Sequence, residues 1–179
     1  HSPTVNLIAA VAVDGSIGGD NKLLWKIPKD LEFYKAKTYS NVIIMGLKTY
    51  NTLPKVALKN RHTVVICNVL EFLAHSNTLD NVHFTFSIDD ALRVAKDLAK
   101  FYRKNIFIAG GASIYEQMME YCDFAFITWV DKTYENKADT FFPVSNFLTT
   151  FELISESIWH GKYARAYPPY KFITYKRKK

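Results

Sequence analysis

Short apolar runs alternate with amphipathic segments along most of the chain. Continuous apolar runs rich in β-branched residues predict buried strands, and they lie at Val5–Val13, Val42–Met45, Thr63–Ile66, Val82–Phe86, Asn105–Ala109 and Phe124–Val130. Alternation of apolar and polar residues around Glu152–Ser157 and Tyr170–Tyr175 predicts a closing antiparallel hairpin. The pattern therefore predicts an α/β fold, with a mainly parallel sheet that ends in an antiparallel edge and is flanked by helices.

Three segments carry helix signals. Pro28, with Asp30 and Glu32 in the first turn, predicts a helix to about Thr38. Ser87 is an N-cap candidate with Asp90 at the capping-box position, and the apolar residues that follow recur at helical spacing. A further helix is predicted over Ser113–Met119, whereas the turn-forming residues of Asp14–Asn21 predict a flexible loop.

Length and composition narrow the class of protein. The 179 residues are expected to form one domain, residues 1–179, with a basic tail at Lys176–Lys179. The longest apolar run, Leu7–Val13, is too short to cross a bilayer. No secretion signal is recognised at the start of the chain, so a cytoplasmic location is expected. Cys67 and Cys122 lie far apart and form no metal motif, so neither a metal site nor a disulfide is expected.

The positive charge is concentrated at one end of the chain. Of 23 Lys and Arg residues, seven lie in the last 18 positions, which leaves 16 against 17 acidic residues elsewhere. Such a tail is more often a solvated end than a nucleic-acid site. A non-catalytic nucleic-acid-binding protein that uses this tail stays as an alternative.

Two predicted strands end in glycine and lead into a predicted helix. Gly110 and Gly111 follow one strand, and Gly46 follows another, with Lys48 and Thr49 after it. Glycine lets a ligand approach the backbone, and the N–H groups at a helix start attract phosphate. The Gly110-Gly111 segment matches neither the Rossmann nor the P-loop pattern. Each could also be an ordinary tight turn, but two in one sheet favour a bound nucleotide.

Asp30 lies among apolar residues. Its carboxylate could simply complement the helix dipole. In surroundings that include Trp25, Ile27 and Leu31 it could instead pair with a cationic or amidine-like ligand.

The motifs together resemble one family. In chain order they are Ile8-Ala9-Ala10, Ser16-Ile17-Gly18, Trp25, Ile27-Pro28-Lys29-Asp30-Leu31, Ile44-Met45-Gly46-Leu47-Lys48-Thr49, Ala109-Gly110-Gly111, Ile114-Tyr115, Thr128 and Asp139-Thr140-Phe141-Phe142-Pro143. Their order and spacing, from Val5 to about Lys176, resemble the dihydrofolate reductases. The resemblance implies an eight-stranded central sheet. It also implies hydride transfer from NADPH to dihydrofolate, a step of one-carbon and thymidylate metabolism and a target of antifolate inhibitors.

The resemblance also implies roles for individual residues. Asp30 would bind the pterin and promote its protonation, with Trp25 anchoring a water and Thr128 sharing a hydrogen bond. Arg61 would grip the glutamate carboxylate, since guanidinium suits a planar carboxylate. The rest of the substrate site would be Ile8, Leu31, Tyr34, Leu53, Leu58, Ala109 and Tyr115.

The NADPH site would draw on residues from several segments. They are Ala10, Ser16, Ile17, Gly18, Asn21, Leu23, Gly46, Lys48, Thr49, Cys67, Asn68, Gly110, Gly111, Ala112, Ser113 and Ile114. The Asp14–Leu24 segment would be a lid over the nicotinamide.

The chain departs from the family pattern where the adenosine 2′-phosphate would bind. Leu47, Asn68 and Ser113 stand where the family often has polar or cationic residues. Lys48, His62 and Asn68 remain as candidates for this contact, so a modest preference for NADPH over NADH is expected.

The resemblance leaves one rival within the same fold. A reductase of another pterin or of a pyrimidine is the alternative, and Arg61 favours folate over it. The expected partners are dihydrofolate and antifolate-type inhibitors; no nucleic acid or membrane is expected, and the chain is expected to be a monomer.

Overall fold

The computed structural model describes residues 1–19, 22–75 and 79–179, and in these ranges ten strands and six α-helices form. The strands are β1 (Val5–Ala12), β2 (Ser16–Gly18), β3 (Val42–Gly46), β4 (His62–Ile66), β5 (Val82–Thr85), β6 (Ile106–Ile108), β7 (Phe124–Val130), β8 (Thr140–Phe141), β9 (Phe151–Glu156) and β10 (Tyr170–Arg177). The α-helices are α1 (Pro28–Thr38), α2 (Leu47–Thr52), α3 (Val69–Ala74), α4 (Ile88–Tyr102), α5 (Ala112–Met118) and α6 (Val144–Thr150).

Eight strands form the central sheet in the order β5-β4-β3-β6-β1-β7-β10-β9. The strands from β5 to β7 pair in parallel, and β10 pairs antiparallel with both β7 and β9. The predicted mainly parallel sheet with an antiparallel edge is therefore confirmed. Parallel strands bring their carboxyl ends to one edge, which is where α/β proteins bind ligands.

Helix α4 covers the sheet with the face that the sequence predicts. Ala91, Leu92, Ala95 and Ala99 are buried. The Ser87 side chain accepts from the Asp90 backbone N–H at 3.0 Å, but Asp90 Oδ1 accepts from Arg93 Nη2 rather than completing a capping box. A complete capping box forms at α3 instead, between Asn68 and Glu71.

Two expectations about irregular segments are wrong. Part of the predicted Asp14–Asn21 loop is β2, which pairs with β8 in a separate two-stranded sheet. The predicted tail is partly strand, because Lys176 and Arg177 pair with β9 and β7 as the last residues of β10. Both errors share a cause, since the stabilising partners lie far away in sequence.

Candidate active site

Asp30 and Thr128 meet at the carboxyl-terminal half of β7. Asp30 is the third residue of α1, and Thr128 lies in β7 beside Ala10 of β1. The Thr128 hydroxyl donates to Asp30 Oδ1 at 2.7 Å across 98 residues of sequence. The structure thus brings together two of the three residues that the resemblance assigns to catalysis.

The Asp30 carboxyl is in an environment that disfavours its charge. Burial raises its pKa above the ordinary value, and the Thr128 hydrogen bond partly offsets this. A carboxyl so placed can accept N–H donors when charged and give up a proton when neutral. This is the behaviour required of an acid group near neutral pH.

One apolar cluster is built around Ile8 of β1, two residues before Ala10, which pairs with Thr128. Ile8 packs in one cluster with Tyr34, Leu53 and Ala109, all predicted substrate-site residues. Sequence reasoning missed other members of this cluster, whose alternation along strands was the available signal: Ile43, Met45, Phe107 and Phe126.

Tyr115 links Ile8 of β1 to the glycine-rich turn. Its hydroxyl donates to the Ile8 carbonyl at 2.8 Å, and it is buried. A Cβ at Gly110 would lie 3.1 Å from this hydroxyl, and Gly110 has a φ of +107°. Only glycine therefore suits position 110.

The two predicted glycine junctions lie side by side. The Gly46 N–H donates to the Gly110 carbonyl at 2.8 Å, since β3 and β6 are neighbours in the sheet. A Cβ at Gly111 would meet Thr49 Oγ1 at 3.7 Å, and one at Gly46 would meet Ile114 at 3.5 Å. These contacts form a shallow cradle of backbone and one hydroxyl, which suits the phosphates of a dinucleotide. Ala112 and Ser113 continue from it as the first turn of α5.

Arg61 is buried and already holds three protein acceptors. Its Nε donates to Thr38 Oγ1 at 3.0 Å, and its terminal nitrogens donate to the carbonyls of Lys59 and Lys35 at 2.6 Å each. A guanidinium has five N–H donors, so donors remain for a carboxylate. The structure shows that Arg61 also fixes the end of α1, a role that sequence reasoning did not identify.

Of the candidates for a 2′-phosphate contact, His62 lies away from the glycine turns and the Asn68 side chain is engaged in a helix cap. His62 opens β4 beside Val42, so it lies four residues, about 13 Å of strand, from the Gly46 level. The Asn68 side chain accepts from the Glu71 N–H at 2.7 Å as the N-cap of α3. Lys48, exposed in the first turn of α2, remains. Cys67, which precedes Asn68, is buried and bonded through its N–H to Thr85.

The predicted lid residues are partly tied to the rest of the fold. Ser16, Ile17 and Gly18 form β2, and Ile17 packs on the main core cluster. Leu23 is exposed, and the predicted residue Asn21 lies outside the described residues.

Three other predicted residues do not belong to the apolar cluster around Ile8 in the described ranges. Trp25 packs on Tyr134 with ring centroids 5.6 Å apart. Leu31 is exposed, and Leu58 is buried in the segment before β4.

In the described ranges, no group of three or more His, Cys, Asp or Glu side chains could hold a metal ion. Among those same residues, no helix combines the length and apolar character needed to cross a membrane.

Fold and site together define an α/β protein in which two glycine turns lie side by side and a threonine hydroxyl binds a partly buried carboxyl. Residues 4–177 match the family model for dihydrofolate reductase. The chain is 32% identical over 143 residues to the dihydrofolate reductase of Enterococcus faecium, covering 80% of this chain and 79% of that protein. It is 35% identical over 154 residues to dihydrofolate reductase type 9 of Escherichia coli, with 86% and 83% covered.

A solved structure shows the same architecture. Dihydrofolate reductase from Enterococcus faecalis, complexed with NADP(H) and RAB-propyl, superposes with a TM-score of 0.80 at 25% identity, over 99% of this chain and 98% of that one. The chain belongs to the dihydrofolate reductase family.

Proposed function

We propose that this chain reduces dihydrofolate to tetrahydrofolate with NADPH, and that Asp30 promotes protonation of the pterin. The observation that carries this proposal is the partly buried Asp30 carboxyl, which accepts a hydrogen bond from the Thr128 hydroxyl at 2.7 Å. It lies on the helix that also contributes Tyr34 to the apolar cluster of Ile8. Membership of the family indicates the reaction, and the Asp30 carboxyl is a group suited to protonation of the pterin in that reaction.

Asp30 would bind the amidine-like edge of the pterin. One carboxylate oxygen accepts from Thr128; the other has no hydrogen-bond partner in the described ranges and could accept N–H donors of the ring. A charge-assisted pair of this kind fixes the ring's orientation. The raised pKa of Asp30 increases the fraction of neutral acid near neutral pH, which favours delivery of a proton to the adjacent ring nitrogen.

The glycine cradle fits the cofactor. A Cβ at Gly110 would press on Tyr115, whereas Gly46, Gly111 and Thr49 leave backbone groups and a hydroxyl accessible beside it. These residues, with Lys48, would hold the phosphates. When bound, NADPH supplies the hydride that reduces the pterin.

The remaining substrate would extend from the pocket toward Arg61. The Arg61 guanidinium lies beyond Tyr34 at the end of α1, where Thr38 and Lys35 accept its hydrogen bonds. Its free N–H donors would bind the glutamate carboxylate of the substrate. This contact distinguishes a folate reductase from a reductase of a pterin or pyrimidine that lacks the glutamate.

We also propose that the chain acts as a monomer in the cytoplasm and binds antifolate inhibitors in the same pocket. Size-exclusion chromatography with light scattering tests the monomer.

The direct test of function is an absorbance assay. In a mixture of the purified chain, NADPH and dihydrofolate, the NADPH absorbance band should decrease while tetrahydrofolate forms. Controls omit the chain, replace dihydrofolate by a pterin without benzoylglutamate, or replace NADPH by NADH. Absence of turnover with dihydrofolate, together with turnover of the shorter pterin, would contradict the assignment to folate.

A further inference from the structure

Helix α1 lies along β7 and β10, and side chains at every third or fourth position of the helix meet these two strands. Ile27, the N-cap residue of α1, packs in one cluster with Val130 of β7 and Tyr170 of β10. One turn later, Asp30 accepts the hydrogen bond from Thr128. The helix therefore runs antiparallel to β7, because its later residues meet earlier residues of the strand.

Two further contacts continue this row toward the end of the helix. The Phe33 ring stacks on the Phe172 ring of β10, with ring centroids 4.4 Å apart and an angle of 22° between the ring planes. The Lys37 ammonium lies 4.3 Å from the centroid of the Phe126 ring of β7, where it is attracted to the face of the ring. Asp30 thus lies between an apolar contact one turn before it and the ring stack one turn after it.

The stack of the two phenylalanine rings adjoins both partners of the hydrogen bond to Asp30. Phe33 follows Asp30 by three residues in α1, so the two side chains are neighbours on the helix surface. Phe172 is the register partner of Thr128, because β10 pairs antiparallel with β7 at this position. Side chains directly opposite in such a pair have Cβ atoms about 4.5–5.5 Å apart. The stack therefore joins helix and strand immediately beside the bond.

The hydrogen bond between Thr128 and Asp30 tolerates little movement of the helix. A hydroxyl and a carboxylate oxygen bond at about 2.5–3.0 Å, and these two oxygens are 2.7 Å apart. A displacement of α1 by about 1 Å would take them out of that range. Thr128 is buried in a strand that is paired on both sides, so its own position is fixed. The position of α1 therefore decides whether the bond forms.

We propose that Phe33 and Phe172 are positioning residues. Their ring stack holds the Asp30 carboxyl at hydrogen-bond distance from the Thr128 hydroxyl. The inference rests on the proposed function, because this bond matters for turnover only if Asp30 promotes protonation of the pterin. Neither ring needs to touch substrate or cofactor, since each acts through the separation between α1 and the sheet.

The titratable groups near Asp30 do not titrate in its range or can be told apart from it. Burial raises the pKa of Tyr115 in α5 and of Tyr170 in β10, and the Asp30 charge contributes to both increases. Both phenols therefore stay neutral near neutral pH. On the same helix, Lys29 and Glu32 form an exposed ion pair at 3.2 Å. A signal assigned to the Asp30 carboxyl carbon separates its titration from that of Glu32.

The test is a double-mutant cycle of Phe33→Leu with Thr128→Val, in which NMR of the carboxyl carbon follows the titration of Asp30 in the ligand-free chain. Leucine keeps an apolar side chain at this position but cannot stack on Phe172. Thr128→Val alone should raise the midpoint of the titration by up to about one pH unit, the equivalent of one hydrogen bond. In the Phe33→Leu chain the same substitution should have a much smaller effect, because the bond is already lost. Phe172→Leu should reproduce this result from the side of the strand.

Two controls separate positioning from general packing. Phe33→Tyr keeps an aromatic ring in the stack, so Thr128→Val should retain its full effect in that chain. Phe151→Leu removes a different stack, in which Phe151 of β9 packs on Phe147 of α6 with ring centroids 4.7 Å apart. It should lower the melting temperature and leave the Asp30 titration unchanged.

The proposal would be overturned by a Thr128→Val effect that is undiminished in Phe33→Leu, or by one that is diminished equally in Phe33→Tyr or Phe151→Leu. The pH profile of kcat/KM for dihydrofolate should move together with the titration midpoint. A chain whose Asp30 titration shows the expected coupling but which does not reduce dihydrofolate would contradict the proposed function and confirm the positioning of Asp30. The ligand-free titration therefore separates the two failures.

Discussion

The hydrogen bond from Thr128 sets how readily Asp30 carries a charge. Thr128→Val removes a donor that favours the charged carboxylate, so the pKa of Asp30 should rise further above its ordinary value. We expect the pH profile of kcat/KM to move to higher pH. Thr85→Val in β5 removes a 3.0 Å hydrogen bond from the Thr85 hydroxyl to the Val65 carbonyl of β4 and should leave that profile in place. An unmoved profile in Thr128→Val would mean that another group controls the titration.

Arg61 combines a structural and a binding role, and Arg61→Lys should show both. Lysine cannot hold the three acceptors that the guanidinium holds, so the free energy of unfolding should fall by about 1–3 kcal/mol. The KM for dihydrofolate should rise more than that for NADPH. Arg93→Lys, at an exposed ion pair with Asp90, should change neither. A loss of stability with both KM values unchanged would leave Arg61 a purely structural role.

Single residues show how far sequence reasoning reaches. Asp30 and Thr128 could be placed in one site from motif order, because the family resemblance spans both. The burial of Arg61 and the stack of Phe33 on Phe172 could not, since they depend on how α1 packs against distant segments. The amino-acid sequence shows the type of each residue, but it does not show which hydrogen-bond donors are already engaged within the folded protein.

At the scale of elements, the junction of β3 with α2 should control the choice of cofactor. Lys48 is the cation left beside Gly46, because His62 lies at the other end of β4 and the Asn68 side chain caps α3. Lys48→Ala should reduce the preference for NADPH over NADH by about fivefold to tenfold, as expected for one exposed charge-assisted contact.

The measurement is kcat/KM with each cofactor, and Lys55→Ala is the control. Lys55 is an exposed lysine of the Lys55–Ala57 3-10 helix, and its replacement should leave the ratio unchanged. A strong NADPH preference that survives Lys48→Ala would show that a different cation binds the 2′-phosphate.

Elements with local signals were predictable, and those that depend on distant partners were not. Helix α1 begins and ends where Pro28 and Thr38 predict, and β7 has the predicted bounds. Strand β2 was predicted as loop because its turn-forming sequence becomes a strand only against β8, more than 100 residues away. The Asn68–Glu71 capping box was a local signal that was available and overlooked.

At the scale of the whole molecule, one histidine contact should make stability depend on pH. His83 of β5 lies 3.4 Å from His62 of β4, and Tyr102 of α4 stacks on His62. Burial, and secondarily the neighbouring His62, lower the pKa of His83. As the pH falls, His83 is therefore protonated in the unfolded chain before it is protonated in the folded chain. The free energy of unfolding decreases as the pH falls from about 6.5, the ordinary histidine pKa, through the lower pKa of His83 in the folded chain.

Chemical denaturation between neutral pH and about pH 5 measures this effect. The midpoint should fall with pH in the unaltered chain, and His83→Gln should flatten the curve. The same pH dependence in both chains would mean that the histidine pair does not titrate during unfolding.

The central claim is that the Asp30 carboxyl promotes the proton step of dihydrofolate reduction. Its most direct test is the turnover number of Asp30→Asn at neutral pH, followed by NADPH absorbance, beside Glu32→Gln. Glu32 is an exposed carboxylate of the same helix that pairs with Lys29, so Glu32→Gln should retain full turnover. Asp30→Asn should fold and bind NADPH normally but lose turnover about 10²–10⁴-fold; full turnover in this variant would contradict the account.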